Sequence, residues 1–239
     1  MPAEVRVLPT PEAIGEALAD EVAARHRLSV ESTQSGFLLG CPGGRSLRTT
    51  YAALARRPRL ERLVVVMMDE YLGAAPDSHY SCARFAREEI AGPLGVPDDR
   101  VWLPDAGDPG AYDERIAAAG GIDLFLLASG ASDGHVAFVP PGAPRDGRTA
   151  VVEIAETTRR DNLATFPGFA SLEEVPTRGV SVGLGTIAAA RALRLVLHGS
   201  GKRAAVRRLL ALDRFDPSWP ASIVHEHPDA LILIDEEAA

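Results

Sequence analysis

Residues 121–142 read GIDLFLLASGASDGHVAFVPPG, and the character of the chain changes twice within that stretch. From Ile122 to Ala128 only Asp123 interrupts an apolar run. Such a run fits a strand covered on both faces in a parallel sheet. Ser129-Gly130-Ala131-Ser132-Asp133-Gly134-His135 then supplies small residues and two glycines, which permit a tight loop and close approach of the backbone to a ligand. Asp133 and His135 stand two residues apart in the loop, so a carboxylate and an imidazole can face one pocket. In open α/β sheets ligands bind beyond the carboxyl ends of the strands. A polar turn with a capping Asp and an exposed His is the competing reading of the same tripeptide.

Working outward, further apolar runs predict buried strands at 36–41 (GFLLGC), 63–68 (LVVVMM) and 180–184, strands at 193–197 and 230–234, and short or weakly patterned strands at 5–8, 101–103 and 149–154. Helices are expected between them. Pro11 suits a first helical turn, and Ile14, Leu18 and Val22 recur on one helical face. Leu47, Tyr51 and Leu54 mark a second helix, and 80–91, 109–119, 187–192 and 203–212 mark others. Residues 155–178 read as loop or short helix. Strands alternating with helices predict an α/β fold: a Rossmann-like, parallel-dominated sheet with helices on both faces. No linker rich in Pro, Gly or Ser divides the chain, so residues 1–239 are expected to form one domain.

Three strand ends carry residues suited to chemistry. After the second strand comes Pro42-Gly43-Gly44-Arg45-Ser46 and then a helix, an arrangement whose free N–H groups and helix dipole favour an anion. The third strand runs into Asp69-Glu70-Tyr71. Two carboxylates at a buried strand end are costly unless paired or used; a helix cap or a solvated loop is the alternative. Near the C-terminus His198-Gly199-Ser200-Gly201-Lys202 opens a helix. Lysine and arginine total 25, yet Lys202 is the only lysine. A site that needs a compact ammonium rather than a planar fork would keep it.

A net charge of −8 argues against general binding of nucleic acid or of an anionic membrane surface. No apolar run approaches the roughly 20 residues of a membrane span, and the first residues lack the apolar core of a signal peptide. Two cysteines, Cys41 and Cys82, make no disulfide framework and suit a reducing, cytoplasmic compartment. His225 and His227 invite a zinc reading, but a third ligand is lacking and no metal is expected.

Several segments together resemble the glucosamine-6-phosphate deaminase (isomerase) family and the related 6-phosphogluconolactonases. They are GCPGGRS (40–46), MMDEYLG (67–73), DSHYS (77–81), GGIDLFLLASGASDGHVAF (120–138), VSVGLGTI (180–187), HGSGK (198–202) and HPDALILIDEEA (227–238). MDEY, DGHVAF and VGLGT are closer to the deaminases, and the glycine loop is closer to the lactonases. The resemblance implies a small phosphosugar as substrate and no cofactor. Its phosphate would sit at Gly43, Gly44, Arg45, Ser46 and Lys202. Asp69 would carry the proton between C1 and C2, with Glu70 and Tyr71 in support. His135, oriented by Asp133, would serve ring opening, or would activate water in a lactonase. The chain departs from the deaminase pattern where Val139-Pro140-Pro141 replaces an Asn-Glu-Pro segment, and where Ala150 and Ala164 fall at phosphate-side arginine positions. A lactone hydrolase and a non-catalytic phosphosugar-binding protein therefore stand as alternatives, and an oligomer is compatible with all three.

Overall fold

The computed structural model describes residues 2–32, 36–166 and 168–239. In chain order the strands are β1 (Glu4–Leu8), β2 (Phe37–Cys41), β3 (Leu63–Met67), β4 (Asp69–Tyr71), β5 (Val101–Trp102), β6 (Leu124–Ala128), β7 (Ala150–Glu153), β8 (Arg178–Ser181), β9 (Leu193–Leu197) and β10 (Ala230–Asp235). The α-helices are α1 (Pro11–Ser32), α2 (Arg48–Leu54), α3 (Cys82–Phe85), α4 (Gly92–Leu94), α5 (Pro109–Ala118), α6 (Glu156–Thr165), α7 (Leu184–Ala188) and α8 (Arg203–Leu210). A π-helical turn, Ala86–Ala91, joins α3 to α4.

Seven strands form one sheet in the order β1-β10-β9-β6-β2-β3-β5, and every neighbouring pair is parallel. β2, β3 and β9 are buried at every residue, as their unbroken apolar sequences require in a sheet covered on both faces. Two apolar cores flank it. One gathers Ile14, Leu18 and Val22 of α1 with Tyr51 and Leu54 of α2. The other gathers Tyr112 and Ile116 of α5 with Ile187, Val206 and Leu209. Arg194, the charge inside β9, shares its Nε–H between both carboxylate oxygens of Glu21 at 2.9 Å and donates from Nη2 to Asp229 at 2.9 Å, which is how a cation tolerates that depth.

The chain runs from β2 outward to β3 and β5, then returns to place β6 on the other side of β2. The strand order therefore reverses between β2 and β6, the point where open α/β sheets leave a crevice. A second, antiparallel sheet, β4-β8-β7, stands beside that crevice. Here the structure differs from the sequence reading. The apolar run at 63–68 stops pairing at Met67, and Asp69–Tyr71 forms its own strand, with Asp69 opposite Ser181. The run at 180–184 is not a further parallel strand: β8 spans Arg178–Ser181, and Leu184 already begins α7. The weakly patterned 155–178 segment contains the ten-residue helix α6.

Candidate active site

A cavity of about 440 Å³ opens at the reversal point. The loops after β2, β6 and β9 and the start of β4 all reach it. Its lining includes Gly43, Gly44, Arg45 and Ser46, Asp69 and Tyr71, His135, and Lys202. The residues that the sequence singled out on four separate segments thus share one wall-to-wall space. Asp133 and Glu70 stand behind that lining.

On the β2 side, Gly44 adopts φ +88°, a conformation that L side chains rarely take. The turn it makes brings Arg45 to the cavity mouth. Arg45 is exposed and, among the described residues, has no ion-pair partner. Opposite it, Lys202 donates from Nζ to the carbonyl of Ser129 at 2.6 Å. Burial lowers the pKa of Lys202, Asp161 and Asp133 oppose that shift, and Arg45 adds to it. The loop that carries Lys202 is fastened from β10: the carboxylate of Asp235 accepts the Gly199 N–H at 2.9 Å and the Ala238 N–H at 2.9 Å.

The β6 loop is built around its histidine. His135 Nδ1 lies 2.7 Å from Oδ1 of Asp133, and the His135 backbone N–H donates to the same oxygen at 3.1 Å. The hydroxyl of Thr157 donates to Oδ2 of Asp133. Burial works to raise the Asp133 pKa, but the bonds from His135 and Thr157 prevail and lower it to about 2. An ionised Asp133 makes Nδ1 the protonated nitrogen, so Nε2 is left to exchange a proton with a ligand. Gly130 has to be glycine: a Cβ there would stand 2.2 Å from Nδ1 of His135 and 2.6 Å from Oδ1 of Asp133.

Asp69 is 6% exposed. Burial pushes its carboxyl up to about 7, a bond from Cys82 opposes this, and the neighbouring Glu70 charge adds to it. That suits a group asked to take and return a proton near neutrality. Glu70 does different work. Its carboxylate accepts from Tyr71 N, Ser81 Oγ, Cys82 N and Ala83 N at 2.8–3.0 Å, which ties β4 to the N-terminus of α3. Tyr71 is buried, and its ring packs on Phe138 and Phe166.

Sequence reasoning did not find Cys82, Asp161, Asn162 or His198, which also line the cavity. The only advance signal was position: Cys82 follows DSHYS, and His198 opens HGSGK. The two late histidines have other roles. Nδ1 of His225 accepts the Ala3 N–H, and Nδ1 of His227 accepts the Asp229 N–H, each at 3.1 Å. Their Nε2 atoms lie against the carbonyls of Leu209 and Ala190. Both imidazoles are therefore committed to the backbone. Among the described residues no group of His, Cys, Asp or Glu is arranged to hold a metal ion, and no helix is long and apolar enough to cross a membrane.

The family model of glucosamine-6-phosphate isomerases/6-phosphogluconolactonase matches residues 9–233. The chain belongs to that family. Its curated relatives include the glucosamine-6-phosphate deaminase of Bacillus velezensis, 35% identical over 84% of this chain and 86% of the relative. That of Rhodopirellula baltica is 34% identical over 99% of this chain and 94% of the relative. Among solved structures, a monomeric glucosamine-6-phosphate deaminase superposes with a TM-score of 0.89 at 28% identity, covering 98% of both chains. The 6-phosphogluconolactonase of Trypanosoma brucei shares the fold, with a TM-score of 0.76 at 22% identity over 99% of this chain and 97% of that one. The cavity histidine pairs with Asp133 of the same loop, and Pro140 does not line the cavity.

Proposed function

We propose that this protein converts glucosamine 6-phosphate and water to fructose 6-phosphate and ammonia. The observation that carries the reading is the cavity shared by Asp69, His135 and Lys202, with a carboxyl that titrates near neutrality at one wall. The phosphate rests between Arg45, the N–H groups of the glycine loop and Lys202. His135, with Nδ1 held by Asp133, gives and takes a proton at the ring oxygen through Nε2 and opens the sugar ring. Asp69 removes the proton from C2 and returns it to C1 through an enolamine intermediate, which leaves C2 as an imine. The imine so formed takes up water and releases ammonia. A carboxyl with pKa about 7 is both a competent base and a competent acid for the two halves of that transfer.

A second reading, hydrolysis of a sugar-phosphate lactone, is favoured by Arg45 in the glycine loop at the cavity mouth and by the proline at position 140. In that reaction Nε2 of His135 activates water for attack on the carbonyl, and Asp69 is dispensable. One experiment separates the two. The purified protein is incubated with glucosamine 6-phosphate and, in parallel, with 6-phosphogluconolactone, and ammonia and acid release are followed. Ammonia release with stoichiometric fructose 6-phosphate supports the deaminase; acid release above the spontaneous rate without ammonia supports the lactonase. Phosphosugar binding with neither product leaves a binding protein.

A further inference from the structure

Cys82 is the first residue of α3, and its thiol donates to Oδ1 of Asp69 at 3.3 Å. Cys82 is 3% exposed, yet it contributes to the cavity lining beside the carboxylate. Among the described residues, no other side chain donates to Asp69. The same wall carries Tyr71, 2% exposed, whose hydroxyl has no protein partner. One oxygen of Asp69 is thus held from the protein side, at a wall with an unspent polar group.

We propose that Cys82 is a positioning residue for the proton transfer, its Sγ–H orienting the Asp69 carboxylate so that Oδ1 is held and Oδ2 is left to exchange protons with the ligand. The inference rests on the reading of Asp69 as the proton carrier. Its helix supports the geometry, because Glu70 accepts the Cys82 and Ala83 N–H groups and so fixes where the thiol starts. Burial pushes the Cys82 thiol well up, and the charges of Asp69 and Glu70 push it further, so it remains a protonated donor wherever Asp69 titrates. The other groups facing Asp69 are Glu70 and Tyr71 on its own strand, Tyr51 of α2 and Tyr112 of α5. Burial raises all three phenols well above their ordinary value. His135 and Lys202 stand across the cavity. A thiol is a weak donor: it steadies the carboxylate without holding it in the ionised form as a serine or backbone amide would.

The test is the titration of the Asp69 carboxyl, followed by carbon NMR on aspartate-labelled protein and assigned by its loss in Asp69→Asn. Cys82→Val fills the space of the sulfur without donating, and Cys82→Ala is a second donor-free variant. Both are expected to move the midpoint upward by roughly half a unit to one unit, while Cys82→Ser keeps it at or below the wild-type value. The pH dependence of kcat should move by the same amount, with KM for glucosamine 6-phosphate within about twofold. Folded Val and Ala variants whose Asp69 titrates as in the wild type would overturn the proposal. Turnover that survives Asp69→Asn would instead overturn the reading of the reaction, and the NMR result would still report on the thiol.

Discussion

Oδ1 of Asp133 accepts both the backbone N–H of His135 at 3.1 Å and its Nδ1–H at 2.7 Å. The loop thus fixes its own imidazole and tautomer with support from α6, whose Thr157 hydroxyl donates to Oδ2 of Asp133 and whose Thr158 hydroxyl lies 3.0 Å from Nδ1. The carboxylate found beyond the histidine in the deaminase pattern has no counterpart at Pro140, and the pair of Asp133 and His135 does not need one for orientation. Asp133→Asn tests this. An amide can turn its NH₂ toward Nδ1 and put the proton on the wrong nitrogen. The expected result is a fall in kcat of about 10²–10⁴-fold with KM little changed, measured by steady-state ammonia release.

The raised carboxyl of Asp69 has consequences for both rate and stability. Its base form accumulates as pH rises through about 7, so kcat/KM should climb through that range. For stability, the folded chain retains a proton that the unfolded chain releases above its ordinary value of 3.8. The contribution is full below about pH 4 and lost as pH rises through 7. Asp69→Asn removes that loss. Its Tm should exceed the wild-type value by several degrees at pH 8 and converge on it toward pH 4, as read by scanning calorimetry.

Asp133 behaves in the opposite sense. Its pKa is lowered to about 2, so its contribution to stability is present above the ordinary carboxylate range and lost as pH falls toward 2.

Lys202 meets the cavity as a half-buried, compact ammonium on the carbonyl of Ser129. Lys202→Ala should weaken phosphosugar binding by roughly 10–100-fold, the value of one charge-assisted hydrogen bond. Lys202→Arg should not restore it, because a planar fork does not fit the same point contact. Isothermal calorimetry with the product, fructose 6-phosphate, measures both.

Asp235 holds the loop that presents Lys202, although it lies outside the cavity lining. Asp235→Ala leaves the Gly199 amide without its acceptor and the Ala238 amide with only the backbone carbonyl of residue 235, at 3.1 Å. The expected cost is about 1–3 kcal/mol of stability, read as a lower Tm, together with weaker phosphosugar binding.

The sequence was most informative where burial on two faces leaves no polar residue in a run. FLLGC, LVVVM and LFLLA are such runs, and each is a strand of the parallel sheet. It was silent where an element owes its form to its surroundings. Asp69–Tyr71 is three residues long, too short for an alternation to register, and is a strand because β8 pairs with it. In α6, ETTRRDNLAT, Thr158 is the buried residue, so no apolar stripe announced the helix; Asp161 and Asn162 consequently went unnoticed as cavity residues. The glycine-rich loops were legible because glycine spacing reports backbone geometry directly. The contact between Cys82 and Asp69 was not, since 13 residues and a change of element separate them.

In the proposed reaction Asp69 moves the proton in a sugar that the opposite wall has already gripped. Its most direct test pairs turnover with binding in Asp69→Asn. The prediction is that the wild-type protein releases ammonia from glucosamine 6-phosphate, while the variant binds fructose 6-phosphate with near wild-type affinity and releases none above background. Ammonia release by the variant at the wild-type rate, or wild-type protein that opens 6-phosphogluconolactone while leaving glucosamine 6-phosphate untouched, would contradict it.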